Sequence, residues 1–325
     1  MILETNSTVR RAAAVDIGSN SCRLLIGQKQ EGKIVRERYE METTRLAEGV
    51  DRSDRIKKEA AGRTRAVLRR FAEITSEAQV ERVAAAGTSA LRRAENGEKF
   101  RREFADILGG ALRIVSGRDE ARLVLAGVKS YCGRNVDAVI DIGGGSTEII
   151  FSSIPPDKFE YFSFELGAVS MTENFISDPA AAIDRSVLAE IKNETAARIK
   201  KPEIADFFSR GAENSGRNIL DFYGAGGTIT TLAAISQNLA EYRPEKVEEY
   251  ELDSSELEKI TLELASRPID ERKKVLGLKP ERADIIVAGA AILTGVLDEL
   301  ELSGLKVSDR GILFGLLEQA FSGRV

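Results

Sequence analysis

At 325 residues the chain exceeds what one ordinary hydrophobic core organises, so two domains are expected. Apolar residues make up 42% and charged ones 30%, a soluble globular balance, and a net charge of -5 excludes a general nucleic-acid-coating protein, which needs a broad positive field. The absence of histidine removes His-ligated zinc, Ser-His-Asp triads, phosphohistidine and His/Asp metal phosphohydrolase chemistry together, and Cys22 and Cys132 fit neither a metal spacing nor a disulfide framework.

In chain order, strands are expected near Arg11–Asp16, Cys22–Gly27 and Lys33–Glu40, then a long helix from about Ser53, its N-cap, to Thr75. The strand Val80–Ala86 leads into Gly87-Thr-Ser-Ala-Leu-Arg92, a helix near Gly97–Leu108 precedes the strand Ala111–Val115, and a helix follows the turn Ser116-Gly-Arg-Asp119. The pattern restarts at Val136 with paired strands around Asp141, a strand near Phe159–Phe164 and helices near Val169–Ile176 and Ala181–Lys200. A strand near Leu220–Tyr223 enters Gly224-Ala-Gly-Gly-Thr228, and helices near Ser254–Ser266, Arg282–Leu300 and from Gly311 complete the chain. Strands alternating with helices twice over predict an α/β protein with two sheets: domain I over 1–131, domain II over 132–310, a junction near Cys132–Asn135, and a last helix (about 311–325) packing back onto domain I. The N-terminus lacks a basic region followed by an apolar run, and Ile285–Leu297 falls short of the ~20 residues that span a bilayer, so a cytoplasmic protein without a membrane partner is expected.

The chemistry concentrates in a repeat. Ala14-Val-Asp-Ile-Gly-Ser-Asn-Ser21 and Val139-Ile-Asp-Ile-Gly-Gly-Gly-Ser-Thr-Glu148 each read as an apolar strand, an Asp, a glycine turn with hydroxyl residues and a second strand. Such a turn presents several backbone N–H groups to one volume and binds phosphate oxygens without lysine. Glycines remove the Cβ atoms that would hold the anion off, and the strand-end acid can hold a hydrated Mg²⁺ or orient a water. Gly18, Ser19, Asn20 and Ser21 form the first candidate cradle, Gly143, Gly144, Gly145, Ser146 and Thr147 the second, and Gly226 and Gly227 a third. Asp16 and Asp141 are the metal- or water-positioning candidates. The basic runs Arg63–Arg70, Arg101-Arg102 and Lys200-Lys201 read as solvated faces rather than a track for an anionic substrate.

Asp16-Ile-Gly-Ser-Asn-Ser21, Thr44-Arg-Leu-Ala-Glu-Gly49, Gly87-Thr-Ser-Ala-Leu-Arg92, Ser116-Gly-Arg-Asp-Glu-Ala121, Asp141-Ile-Gly-Gly-Gly-Ser-Thr-Glu148, Leu166-Gly-Ala-Val169, Gly224-Ala-Gly-Gly-Thr228, Ala288-Gly-Ala-Ala-Ile-Leu293 and Val307-Ser-Asp-Arg-Gly311 occur in that order. This set resembles the exopolyphosphatase and guanosine-pentaphosphate phosphohydrolase (Ppx/GppA) family over nearly the whole chain, in a short two-domain form. The resemblance implies two actin-like (ribonuclease H-like, ASKHA superfamily) domains with a cleft between them. It further implies Mg²⁺- or Mn²⁺-dependent release of terminal phosphate from inorganic polyphosphate, pppGpp or both, a stringent-response setting, a homodimer and no nucleic-acid polymer as partner. Glu120 takes the family's catalytic-base position, Arg92 and Arg45 fall in matched motifs where a guanidinium fork suits phosphate, and Glu148 joins Asp16 and Asp141 as a metal candidate.

Three departures stand out. Ala47 replaces a common glycine, Ser170 stands where an Arg often follows, removing one phosphate contact, and Leu313-Phe314 replaces an Arg-Glu pair, an apolar substitution suited to packing against another domain or subunit. The further helical domains of long family members are not expected here. Two other functions fit the turns less well: a non-catalytic ppGpp or polyphosphate sensor, and an acetate- or sugar-kinase-like phosphotransferase.

Overall fold

The computed structural model describes residues 11–132, 136–152, 159–207 and 221–323. Leu220 and residues 133–135, expected as a strand start and as part of the junction, lie outside the described residues. The chain divides into two compact units, Met1–Ser130 with Ile312–Val325, and Tyr131–Gly311.

The first unit carries β1 (Arg11–Ile17), β2 (Ser21–Gln30), β3 (Lys33–Thr43), β4 (Arg82–Gly87) and β5 (Leu112–Ile114), in the sheet order β3-β2-β1-β4-β5. The second carries β6 (Ala138–Ile142), β7 (Thr147–Ser152), β8 (Phe159–Phe164), β9 (Phe222–Ala225), β10 (Glu251–Asp253) and β11 (Gly304–Val307), in the order β10-β11-β9-β6-β7-β8. The plan is duplicated. Each sheet centres on a strand, β1 or β6, that pairs antiparallel with its successor and parallel with a later strand, β4 or β9. Because β1 is covered on both faces, it reads as the apolar run Ala12–Val15 instead of an alternating pattern.

The helix Lys58–Glu77 turns Ala60, Ala61, Thr64, Leu68, Phe71 and Ile74 inward at helical spacing. It starts later than expected. Ser53 closes a short helix, Val50–Ser53, and its hydroxyl donates to the Gly49 and Arg55 carbonyls, while Asp54 adopts a left-handed φ of 52° that breaks the helix. In the second unit every residue from Ile286 to Leu297 of the helix Ile286–Glu299 is buried, so this apolar stretch is core. Among the described residues no helix is long and apolar enough to cross a membrane.

The last helix, Ile312–Ser322, belongs to the first unit and lies against β1, β4 and β2. Leu313 and Phe314 are buried there, and the Arg36 guanidinium covers the Phe314 ring at 5.5 Å. Their apolar character serves the unit's own core.

Candidate active site

Both Asp-glycine turns have one backbone design. In the first, the Gly18 N–H donates to the Ser21 carbonyl at 3.0 Å, and in the second the Gly143 N–H donates to the Ser146 carbonyl at 2.9 Å. Each turn is then gripped from outside through its carbonyls. Asn20 O accepts from the Thr44 and Arg45 N–H groups and Ser19 O from Ala47, while Gly143 O accepts from Ala168 and Gly144 O from Val169 and Ser170. Among the described residues the N–H groups of Ser19, Asn20, Gly144 and Gly145 donate to no acceptor, which leaves them available to an anion.

The grip explains several candidates. Arg45 is exposed with a left-handed φ of 50°, and its N–H holds the first turn. The Thr147 hydroxyl donates to the Leu166 carbonyl at 2.5 Å, so this side chain secures the second turn and is not turned to a phosphate. Ser170 accepts from the Gly167 N–H and donates to the Gly167 carbonyl, capping the helix Ala168–Phe175. Gly167 is required by space, since a Cβ there would lie 2.2 Å from the Gly144 carbonyl oxygen.

The side chains separate the two turns. The β1–β2 register sets Arg23 opposite Asp16, and its guanidinium binds Asp16 Oδ2 through Nε at 2.8 Å and Nη2 at 2.5 Å. Asp16 is 1% exposed, and among the described residues its Oδ1 and the Asn20 Nδ2 are buried without a hydrogen-bond partner. A buried acceptor and donor left open in one turn call for a polar guest. In the second turn the register sets Glu148 opposite Asp141. Glu148 is 3% exposed and accepts from the Ser163 hydroxyl at 2.9 Å. Directly opposite residues in an antiparallel pair have Cβ atoms about 5 Å apart, so two carboxylates share this place.

The third turn abuts the second. Asp141 pairs with Ala225, and a Cβ at Gly226, where φ is +85°, would fall 2.1 Å from Asp141 Oδ1. A Cβ at Gly227 would fall 2.1 Å from Arg282 Nη2, so the helix Gly226–Ser236 begins between a carboxylate and a buried guanidinium.

Glu120 and Arg92 come together although 28 residues separate them. The Arg92 Nη1 donates to Glu120 Oε2 at 2.9 Å and to the Val115 carbonyl at 3.0 Å. Glu120 lies in the first turn of the helix Gly117–Cys132, its side chain 14% exposed. Ser116 starts that helix by accepting from the Asp119 N–H and donating to the Asp119 carboxylate. The basic runs are held by neighbouring acids: Arg63 by Glu48, Arg65 by Glu103, Arg70 by Glu40 and Glu42, and Arg101 and Arg102 by Glu98. Burial pushes the Cys22 thiol up to about 12 and the Cys132 thiol up to about 11, far from thiolate chemistry.

Among the described residues no three His, Cys, Asp or Glu side chains gather as a metal cage. Asp141 and Glu148 nonetheless stand opposite each other as two hard oxygen donors, and Mg²⁺ commonly uses one or two carboxylates, keeping waters and substrate phosphates for the rest. The donor set fits that ion. Arg23 and Arg282 escaped the sequence reading. Arg23 was accessible from hairpin register, since the residue paired with Asp16 across the turn must be Arg23, whereas Arg282 reaches Gly227 only through the tertiary fold.

A family model for the Ppx/GppA phosphatase family matches residues 11–321. Exopolyphosphatase 2 of Mycobacterium tuberculosis (strain CDC 1551 / Oshkosh) is 31% identical, covering 94% of this chain and 97% of that protein. The crystal structure of the Aquifex aeolicus Ppx/GppA family member superposes with a TM-score of 0.74 at 30% identity, over 97% of this chain and 98% of that one. The two-domain α/β fold extends to nucleoside triphosphate hydrolases from Neospora caninum, at a TM-score of 0.50 and 12% identity over 97% and 95% of the two chains. Agreement in motif order, in fold and across residues 11–321 makes this chain a member of the Ppx/GppA phosphatase family.

Proposed function

We propose that this protein is a phosphoanhydride hydrolase that releases terminal phosphate from inorganic polyphosphate, pppGpp or both. The observation that carries the reading is the Arg92–Glu120 pair, a carboxylate at a helix start held at 2.9 Å by a guanidinium that could also meet phosphate. The name of the Mycobacterium tuberculosis relative, an exopolyphosphatase, supports polyphosphate as a substrate.

In this mechanism Glu120 accepts a proton from the attacking water as its oxygen bonds to the terminal phosphorus. The bridging P–O bond breaks, and its electron pair leaves on the shortened chain. The free N–H groups of Ser19 and Asn20 and the Asn20 side-chain amide hold phosphoryl oxygens, while Asp16 Oδ1, whose sister oxygen is neutralised by Arg23, accepts from a water. Asp141 and Glu148 would hold Mg²⁺, which when bound neutralises phosphate charge. Such catalysis is mainly positioning and electrostatics.

The test is phosphate release from short polyphosphate, long polyphosphate and pppGpp side by side with Mg²⁺, for the wild type and Glu120→Gln. The wild type should release phosphate from at least one of them. Glu120→Gln should keep binding it and lose about 10²–10⁴ in turnover. Binding without release by the wild type would establish a sensor, acceptor-dependent loss of ATP a kinase, and full turnover by folded Glu120→Gln would remove the base.

A further inference from the structure

We infer that Gly315, in the last helix, is a positioning residue for Glu120, an assignment that rests on Glu120 being the base proposed above. Leu123 lies one helical turn beyond Glu120 on the helix Gly117–Cys132. The helix Ile312–Ser322 meets that helix at Gly315, where a Cβ would lie 2.1 Å from the Leu123 carbonyl oxygen, 2.7 Å from its carbonyl carbon and 2.8 Å from its Cα. All three atoms are backbone, so no rotamer change makes room. Gly315 is absent from the positive-φ glycines, and glycine is a poor helix former, so close approach is what demands it here.

The same helix lies along β1, which carries Asp16 next to its C-terminal end, and along β4, which leads to the segment bearing Arg92. It is therefore the common base under Asp16's strand and Glu120's helix, and the separation at Gly315 sets how far Glu120 stands from the first turn. A single methyl would force the two helices apart by on the order of 1 Å, a displacement that can cost a reaction ~10²-fold while leaving ligand contacts elsewhere intact.

The experiment compares Gly315→Ala with Gly27→Ala in the full chain, by thermal melt, circular dichroism and steady-state phosphate release from polyphosphate. A methyl at Gly27 would press the same last helix from the sheet side, meeting Leu317 Cδ1 and the Val35 carbonyl at 3.1 Å. Gly27→Ala should lower the melting temperature and leave kcat unchanged. Gly315→Ala should lose about 10–100-fold in kcat with KM within about two-fold, and add no further loss to Glu120→Gln. Should Gly315→Ala not fold, Leu123→Ala, which removes a buried side chain at the residue whose backbone faces Gly315, should show a several-fold loss confined to kcat. Unchanged kcat in folded Gly315→Ala, or in Leu123→Ala where that is the variant that folds, overturns the assignment, as does an additive loss on top of Glu120→Gln. Normal turnover by Glu120→Gln removes the base reading itself, whereas an inactive Glu120→Gln beside a fully active Gly315→Ala removes only the role of Gly315.

Discussion

The two Asp-glycine turns share a backbone and differ in what faces the acid. Gly18 and Gly143 close the same four-residue turn, and Cys22 and Thr147 occupy the same place after it. Cys22 Sγ meets the Thr44 hydroxyl at 3.7 Å, and the Thr147 hydroxyl meets the Leu166 carbonyl. Opposite the acid, however, stands Arg23 in one turn and Glu148 in the other. The first pair is internally neutral and leaves an oxygen for an uncharged donor, whereas the second sets two carboxylates opposite one another, the arrangement on which the proposed Mg²⁺ site rests. A duplicated backbone thus carries opposite charges at one cross-strand position.

The largest expected contrast comes from removing each acid's charge. Asp141→Asn should lower turnover by ~10²–10³ and raise the Mg²⁺ concentration needed for half-maximal rate, whereas Asp16→Asn should lower turnover without moving that concentration. Rate measurements across a Mg²⁺ titration read both. Next in size, Gly226→Ala should cost about 1–3 kcal/mol in a denaturant melt, because it strains a φ of +85° and drives a methyl into Asp141 Oδ1. Gly18→Ala should cost less, since its nearest obstacle, the Ser21 carbonyl oxygen, is 3.0 Å away. The smallest effect is at Cys22. With its thiol held near 12 by burial, the thiolate forms only well above neutral pH, so a thiol reagent at pH 8 should leave Cys22 unmodified in the folded protein. Cys22→Ser, which keeps a polar group toward Thr44, should retain turnover.

Much of this was legible in the residues, and the limits have physical causes. The repeat, the apolar central strands and the helix Ser254–Ser266 follow from periodicity, and the structure adds Asp253 as N-cap of that helix, accepting from the Ser255 and Glu256 N–H groups. The start of the helix at Lys58 did not, because Ser53 resembles an N-cap in sequence while its hydroxyl is engaged as a donor. The short strands β10 and β11 carry too few residues to show a period. In the candidate site, the turns and Glu120 were visible as motifs. That Thr147 and Ser170 spend their hydroxyls on backbone, and that Arg92 reaches Glu120, depend on long-range packing that local spacing does not encode.

The division between the turns is tested most directly by titrating the intact protein with Mn²⁺ and following the free ion by electron paramagnetic resonance. Asp16→Asn should bind Mn²⁺ as the wild type does, while Asp141→Asn and Glu148→Gln should each weaken binding by about 10–100-fold. Loss of binding in Asp16→Asn, with Glu148→Gln binding normally, would contradict it.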